Sequence, residues 1–228
     1  MQALVSVIIP ALNEADGIET TLRSVAAEHT EHEIVVADGG SSDATVRLAR
    51  GFGRVVSAPK GRARQMNAGA AEAGGDVMLF LHADTLLPKD ALAQVRVALD
   101  DPSVEGGAFR LQFDTSTSLL RFYSFCTRFP VPRLCFGDRA LFVRSRVFES
   151  LGGYPDIPIF EDVELVRMLH DRGGFVFLDA YVTTSSRRFL TGGPLRQQLR
   201  NAVLWALYVR GTDPHRLAKW YPYTREAG

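Results

Sequence analysis

Residues 4–38 read LVSVIIPALNEADGIETTLRSVAAEHTEHEIVVAD, and their pattern decides the fold. Leu4 to Ile9 is a β-branched apolar run stopped by Pro10, residues 16–28 read as an amphipathic helix, and Glu33 to Ala37 is a second apolar run ending at Asp38. Strands that are apolar throughout are buried on both faces, the habit of a parallel sheet covered by helices. The alternation continues with a helix over 43–50, a strand over 54–57, a helix over 62–72, a strand over 76–81 and a helix over 89–99. Beyond residue 100 the spacing is less regular: strands are expected over 106–113, 139–143 and 175–184, and helices over 159–171 and 194–209. No repeat and no linker-like shift in composition interrupts the 228 residues, so a single α/β domain is expected.

Composition narrows the classes. A hydrophobic share of 46% with 23% charged residues is that of a globular chain with a core. Lys and Arg together number 26, as do Asp and Glu, so no net field points to nucleic acid as a partner. The opening MQALVSVIIP lacks the basic and long apolar regions of a secretory signal, and the apolar runs are strand-sized, too short to cross a bilayer. Cys126 and Cys135 are the two cysteines; they make no disulfide framework and are expected as buried thiols in a reducing cytoplasm.

In open parallel sheets, ligands sit beyond the carboxyl ends of the strands. Four successive strands here end in polar residues: Asn13 and Glu14, Asp38, Lys60 and Gly61, then His82 and Asp84. The first turn, P-A-L-N-E, has no glycine to cradle a pyrophosphate, which counts against a dinucleotide fingerprint. It also lacks the Gly-rich cationic turn that a sugar-phosphate nucleotidyltransferase would use to hold a triphosphate. Asn13 is equally suited to capping the next helix. In A-D-G-G-S-S-D-A-T the cap falls to Ser42 or Asp43, which leaves Asp38 for a hydrogen bond to a base or ribose.

Four segments, VSVIIPALNE, VVADGGSSDAT, GRARQMNAGAAEAGGDVMLFLHADT and GGYPDIPIFEDVEL, resemble in order and spacing the motifs of family 2 glycosyltransferases with the GT-A fold, over about residues 4–172. The chain also resembles a short cytosolic branch labelled arsenosugar-biosynthesis glycosyltransferases. The resemblance implies a nucleotide-binding half over about 1–100 and, over about 101–228, an acceptor half with a C-terminal helix. Pro10, Ala11, Asn13 and Glu14 match the turn that packs on the nucleoside, and Asp38 the acid that binds the base, usually uracil. Lys60, Gly61, Arg64 and Asn67 fall in the segment near ribose and phosphates. Asp84 matches the second acid of D-x-D, which holds the divalent ion, Mn²⁺ or Mg²⁺, and the diphosphate. Asp162 matches the general base; Glu161 is expected to contact the acceptor or support the loop.

The first acid of D-x-D is His82 here, giving H-A-D. An imidazole serves as a hydrogen bond to ribose, as a nitrogen ligand, which favours Mn²⁺, or as a strand-end residue with only local bonds. Lys60, Arg62 and Arg64 form a basic cluster suited either to a solvated helix face or to phosphate. Arg187 and Arg188, ahead of Gly192 and Gly193, are candidates for closing over the diphosphate. His215 is a candidate last metal ligand or an exposed tail residue, and His170 reads as structural. Q-x-x-R-W, the mark of processive members, is absent: R-Q-Q-L-R stands there, with Trp205 further on.

The acceptor, a small molecule or a lipid-linked one, is expected between residues 107 and 160, a stretch with Phe109, Phe113, Phe122, Tyr123, Phe125, Phe129 and Phe136. Core packing accounts for most of these rings; contact with a lipid or membrane surface is the sharper alternative. Leu195, Leu199, Ala202, Val203, Ala206 and Val209 follow helical spacing and are expected to pack on the sheet, or else to serve a homodimer or a peripheral membrane contact. A nucleotidyltransferase and a nucleotide-sugar-binding module without catalysis are the competing functions.

Overall fold

In the computed structural model, the described residues are 3–115, 117–129, 137–187 and 194–221, without the side chains of 137 and 194–198. Their strands form one eight-stranded sheet in the order β3-β2-β1-β4-β7-β6-β8-β5. The N-terminal half is parallel. β1 (Val5–Ala11) lies between β2 (His32–Asp38) and β4 (Val77–Phe80), and β3 (Arg54–Ser57) continues beyond β2. β7 (Leu141–Arg144) then runs antiparallel to both β4 and β6 (Gly106–Phe113), and β6 is parallel to β8 (Phe175–Thr184). The two-residue β5 (Thr85–Leu86), not foreseen from the sequence, pairs antiparallel with the end of β8. The H-A-D segment therefore spans from the centre of the sheet to its far edge.

The strands expected to be buried on both faces divide their side chains between two cores. Val5, Val7 and Ile9 face α1 (Ile18–Ala26), α2 (Thr45–Ala49) and α4 (Ala91–Leu99), while Ile8, Met78 and Phe80 face α3 (Arg62–Ala71), α6 (Ser145–Ser150) and α7 (Glu161–Asp171). α3 sits close on β1 because residue 69 is glycine: a Cβ there would lie 2.6 Å from Ile8 Cγ2.

Three expectations are corrected. The first concerns α5 (Ser118–Cys126), capped by Thr117, which was not foreseen. Phe109 is buried as expected, but Phe122, Phe125 and Phe129 are 59%, 49% and 54% exposed, because only Leu120 of this short helix is buried. The second is Cys126, which is exposed on the same helix; Cys135 and Phe136 lie outside the described residues.

The third concerns the long helix α8 (Pro194–Val209), which turns the other way round its axis. Leu199, Val203 and Val209 of the expected inner stripe are exposed; the side chain of Leu195 is not among those described. The buried face is instead Leu204, Leu207 and Tyr208, packed with Ile159, Phe160 and Leu217 of α9 (Pro214–Ala218). Both faces of this helix are apolar, and the aromatic partners at 160 and 208 select which one docks. Among the described residues, no helix is long and apolar enough to cross a membrane.

Candidate active site

The first two turns are laced together. Asn13 is left-handed (φ 53°), and its side-chain oxygen accepts the Ser42 N–H at 2.8 Å while Ser41 Oγ accepts the Asn13 N–H at 2.9 Å. Thr45 Oγ1 accepts the Glu14 N–H at 2.8 Å and Asp43 the Ala15 N–H at 3.1 Å. Asn13 is therefore not the cap of α1, which begins after Gly17. Asp38 also has local work that the sequence reading did not give it: its carboxylate accepts the N–H groups of Gly40 at 3.0 Å and Ser41 at 3.1 and 3.2 Å.

Beneath both turns lies Gln65, which sequence reasoning missed. Its buried amide donates to the carbonyls of Ala11 (2.8 Å) and Ala37 (2.9 Å), tying the ends of β1 and β2. The neighbouring glycine is required, since a Cβ on Gly39 would meet Gln65 Cδ at 2.9 Å. The signal was a glutamine among the small residues of a helix turn, R-A-R-Q-M-N-A-G. Pro10, Ala11, Asn13, Glu14 and Asp38 are thus brought together at the carboxyl-end edge of the sheet, beyond the interior strands β1 and β2. Arg187 reaches this edge too, pairing with Glu14 at 3.2 Å; Arg188 lies outside the described residues.

The basic segment does something different from lining this edge. Lys60 is exposed, Gly61 turns the chain at φ 133°, and α3 then sends three side chains to residues 154–161. Arg62 pairs with Glu161 at 3.3 Å, and Arg64 grips Asp156 through two bonds of 2.8 and 3.0 Å. Asn67 exchanges two bonds with the backbone of Tyr154, at 2.8 and 2.9 Å. α3 is a clamp on the loop that leads into the acid pair.

That pair opens α7. Phe160 precedes it in a left-handed turn (φ 67°), a conformation that costs a non-glycine residue about 1–2 kcal/mol. Tyr208 of α8 stacks on the Phe160 ring, centroids 4.5 Å apart and 27° between planes, and donates its hydroxyl to Glu164. Glu161 is fully buried, which pushes its carboxyl up to about 7, against the pull of Arg62. Asp162 is 5% exposed and one oxygen accepts the Val163 N–H at 2.8 Å.

Asp84 and His82 are half-buried between β4 and β5. The Asp84 carbonyl accepts the Ser185 N–H at 3.1 Å, which fixes this segment to the end of β8. A third acid, Asp138, completes the group. It stands in the 3₁₀ turn Gly137–Arg139 before β7, and removal from water together with the nearby charges of Asp162 and Asp84 pushes its carboxyl up to about 6. Sequence reasoning passed over it in R-L-C-F-G-D-R, where an acid between glycine and arginine was the available signal.

Among the described residues no three His, Cys, Asp or Glu side chains gather closely enough to enclose an ion by themselves. His215 is exposed on α9, and His170 is exposed late in α7. Asp84 brings hard carboxylate oxygens to a place of unfavourable like charge beside Asp138, a donor set suited to Mg²⁺ or Mn²⁺ with a substrate phosphate sharing the coordination.

The sequence pattern described as glycosyl transferase family 2 matches residues 6–142. The chain belongs to this family. It is 32% identical over 180 residues to a glycosyltransferase of Mycobacterium tuberculosis described as uncharacterized, covering 71% of this chain and 67% of the relative. Among solved structures, S. aureus TarS 1–349 in complex with UDP superposes with a TM-score of 0.63 at 19% identity, covering 79% of this chain and 60% of that one. The mannosyltransferase PcManGT from Pyrobaculum calidifontis, in complex with GDP-Man and Mn²⁺, gives 0.66 at 20% identity, covering 94% and 66%. At these identities the likeness establishes the fold, which is GT-A, as the sequence motifs implied. The chain spans about two thirds or less of the length of these proteins. Family membership makes this chain a glycosyltransferase rather than a nucleotidyltransferase, and the matched residues include the laced turns and H-A-D.

Proposed function

We propose that this glycosyltransferase moves a sugar from a uridine diphosphate sugar to an acceptor hydroxyl in a single displacement that inverts the anomeric centre. One observation carries the reading: Asp84 from the end of β4 and Asp162 from the start of α7, far apart in sequence, both place their charge beside Asp138. A single displacement needs the leaving diphosphate and the acceptor's base on opposite sides of the sugar.

Uracil is bound at the edge built by Pro10, Ala11, Asn13, Glu14 and Asp38. Asp38 spends its carboxylate on two turn N–H groups, and a carboxylate with about four acceptor positions retains one for the base. Asp84 would hold a divalent ion, which when bound would supply the positive charge that offsets the departing diphosphate. Arg187, tied to Glu14, stands ready to turn toward the same phosphates, and His82 faces either the ion or the ribose. An acceptor hydroxyl is a weak nucleophile at neutral pH, so Asp162 takes its proton during attack. Glu161, locked by Arg62, supports the loop beside the acceptor.

The acceptor is apolar or lipid-linked, and the enzyme works at the cytoplasmic membrane surface; the exposed rings of Phe122, Phe125 and Phe129 support this. Calorimetry against UDP, GDP, CDP and dTDP with Mn²⁺ tests the donor, and NMR of the product tests its configuration. Preference for GDP, or a retained configuration, overturns the corresponding part. Binding of UDP-sugar with no turnover on any acceptor or on water would leave a binding module instead.

A further inference from the structure

Asp138 has no place among the donor, metal and base roles just assigned. Its position is fixed by the sheet. β4 and β7 are antiparallel with Phe80 paired to Leu141, so the chain after Phe80 and the chain before Leu141 leave the sheet at the same edge. His82 and Asp84 lie on the first of these segments and Asp138 on the second.

The turn that carries Asp138 is held firmly. Arg139 is 3% exposed and runs into the fold, donating to the carbonyls of Phe109 (3.2 Å) and Thr127, with its guanidinium 4.9 Å from the Phe177 ring centre. Ala140 is fully buried in a left-handed conformation (φ 50°). The inward anchor at Arg139 and the kink at Ala140 fix this turn, and the charged groups that act on Asp138 are Asp162, Arg139, Asp84 and Arg62.

We propose that Asp138 accepts hydrogen bonds from hydroxyl groups of the sugar being transferred, and so determines which sugar the enzyme uses. The assignment rests on the roles given above to Asp84 and Asp162. In a single displacement the sugar ring occupies the space between the phosphate-side carboxylate and the base. A group near both of them lines that space. A carboxylate on a rigid turn can accept from two hydroxyls at once, and its preference depends on whether those hydroxyls point toward it.

The test compares the intact protein with Asp138→Asn and Asp138→Ser, each checked for folding by circular dichroism and thermal melting. Calorimetry with Mn²⁺ measures UDP, UDP-glucose, UDP-galactose, UDP-N-acetylglucosamine and GDP-mannose. UDP should bind the variants within about twofold of the parent, while the preferred sugar nucleotide weakens about tenfold or more, the usual worth of a hydrogen bond to a charged group. The ranking among the sugars should flatten. Equal losses for UDP and UDP-sugar would make Asp138 a metal or diphosphate residue and overturn the proposal, as would no loss for either. A parent protein that binds none of these nucleotides overturns the donor reading and this assignment with it. A parent that binds them, with variants that discriminate as the parent does, overturns this assignment alone.

Discussion

Tyr208 stacks on Phe160, the left-handed residue directly before Glu161 and Asp162, with ring centroids 4.5 Å apart. The helix that carries Tyr208 has its other apolar face in solvent, so this contact and the Leu204 cluster are what seat it. Tyr208→Ala should lower turnover with UDP-sugar binding nearly unchanged, and should cost about 2 kcal/mol of stability, less than the loss at a fully buried ring. Tyr208→Phe keeps the stack and loses only the bond to the Glu164 carboxylate, about 1.5 kcal/mol. Equal donor affinities and a kcat that recovers in the Phe variant would distinguish positioning from general destabilisation.

Glu161 makes stability depend on pH. Its carboxyl is raised from 4.5 to about 7 in the fold, so between those values the folded chain binds more protons than the unfolded one. Stability should therefore fall as pH rises from about 4.5 to about 7, and level off above. Glu161→Gln should flatten that part of the curve and raise the melting temperature at pH 8. Thermal melts across pH 4–8 check it, and a Gln variant less stable than the parent at pH 8 would refute it.

Asp84→Ala should abolish the Mn²⁺-dependent part of UDP binding while leaving the fold intact. His82→Asp should shift the Mn²⁺ to Mg²⁺ activity ratio toward Mg²⁺ if the imidazole ligates the ion, because carboxylate oxygen is the harder donor. Titrating each ion into the two variants tests ligation: an unchanged ratio takes His82 off the ion.

Asp162→Asn keeps the hydrogen bond from the Val163 N–H, since an amide oxygen accepts it as well. Donor and metal binding should stay close to the parent, and turnover should drop roughly 10²-fold or more, the size of a general-base contribution. Near-normal turnover in this variant would remove Asp162 from that role.

Exposed rings on α5 and the outer stripe of α8 predict adhesion to a bilayer. Flotation with phosphatidylglycerol vesicles should carry the protein, and Phe122→Ser combined with Phe125→Ser should release it. A protein that stays with the soluble fraction while light scattering reports a dimer would assign the apolar stripe Leu199, Val203 and Val209 to a second copy.

The sequence by itself determined the parallel core of this protein. Continuous apolar runs at β1, β2 and β4 could be buried only by helices on both faces, and β3, β6, β8 and α8 begin and end where the hydrophobic pattern does. It also determined the family, because four motifs in fixed order are specific where each is not. Local sequence could not say that β7 inserts antiparallel between β4 and β6, since strand direction leaves no mark on period-two burial. That insertion brings Asp138 beside Asp84 and Asp162. Nor could spacing choose between two apolar faces of α8; the Phe160 ring decided it. The arginines of α3 looked like phosphate ligands because charge is legible in sequence and partners are not, and Arg62 and Arg64 found theirs in Glu161 and Asp156, 99 and 92 residues away, across the site.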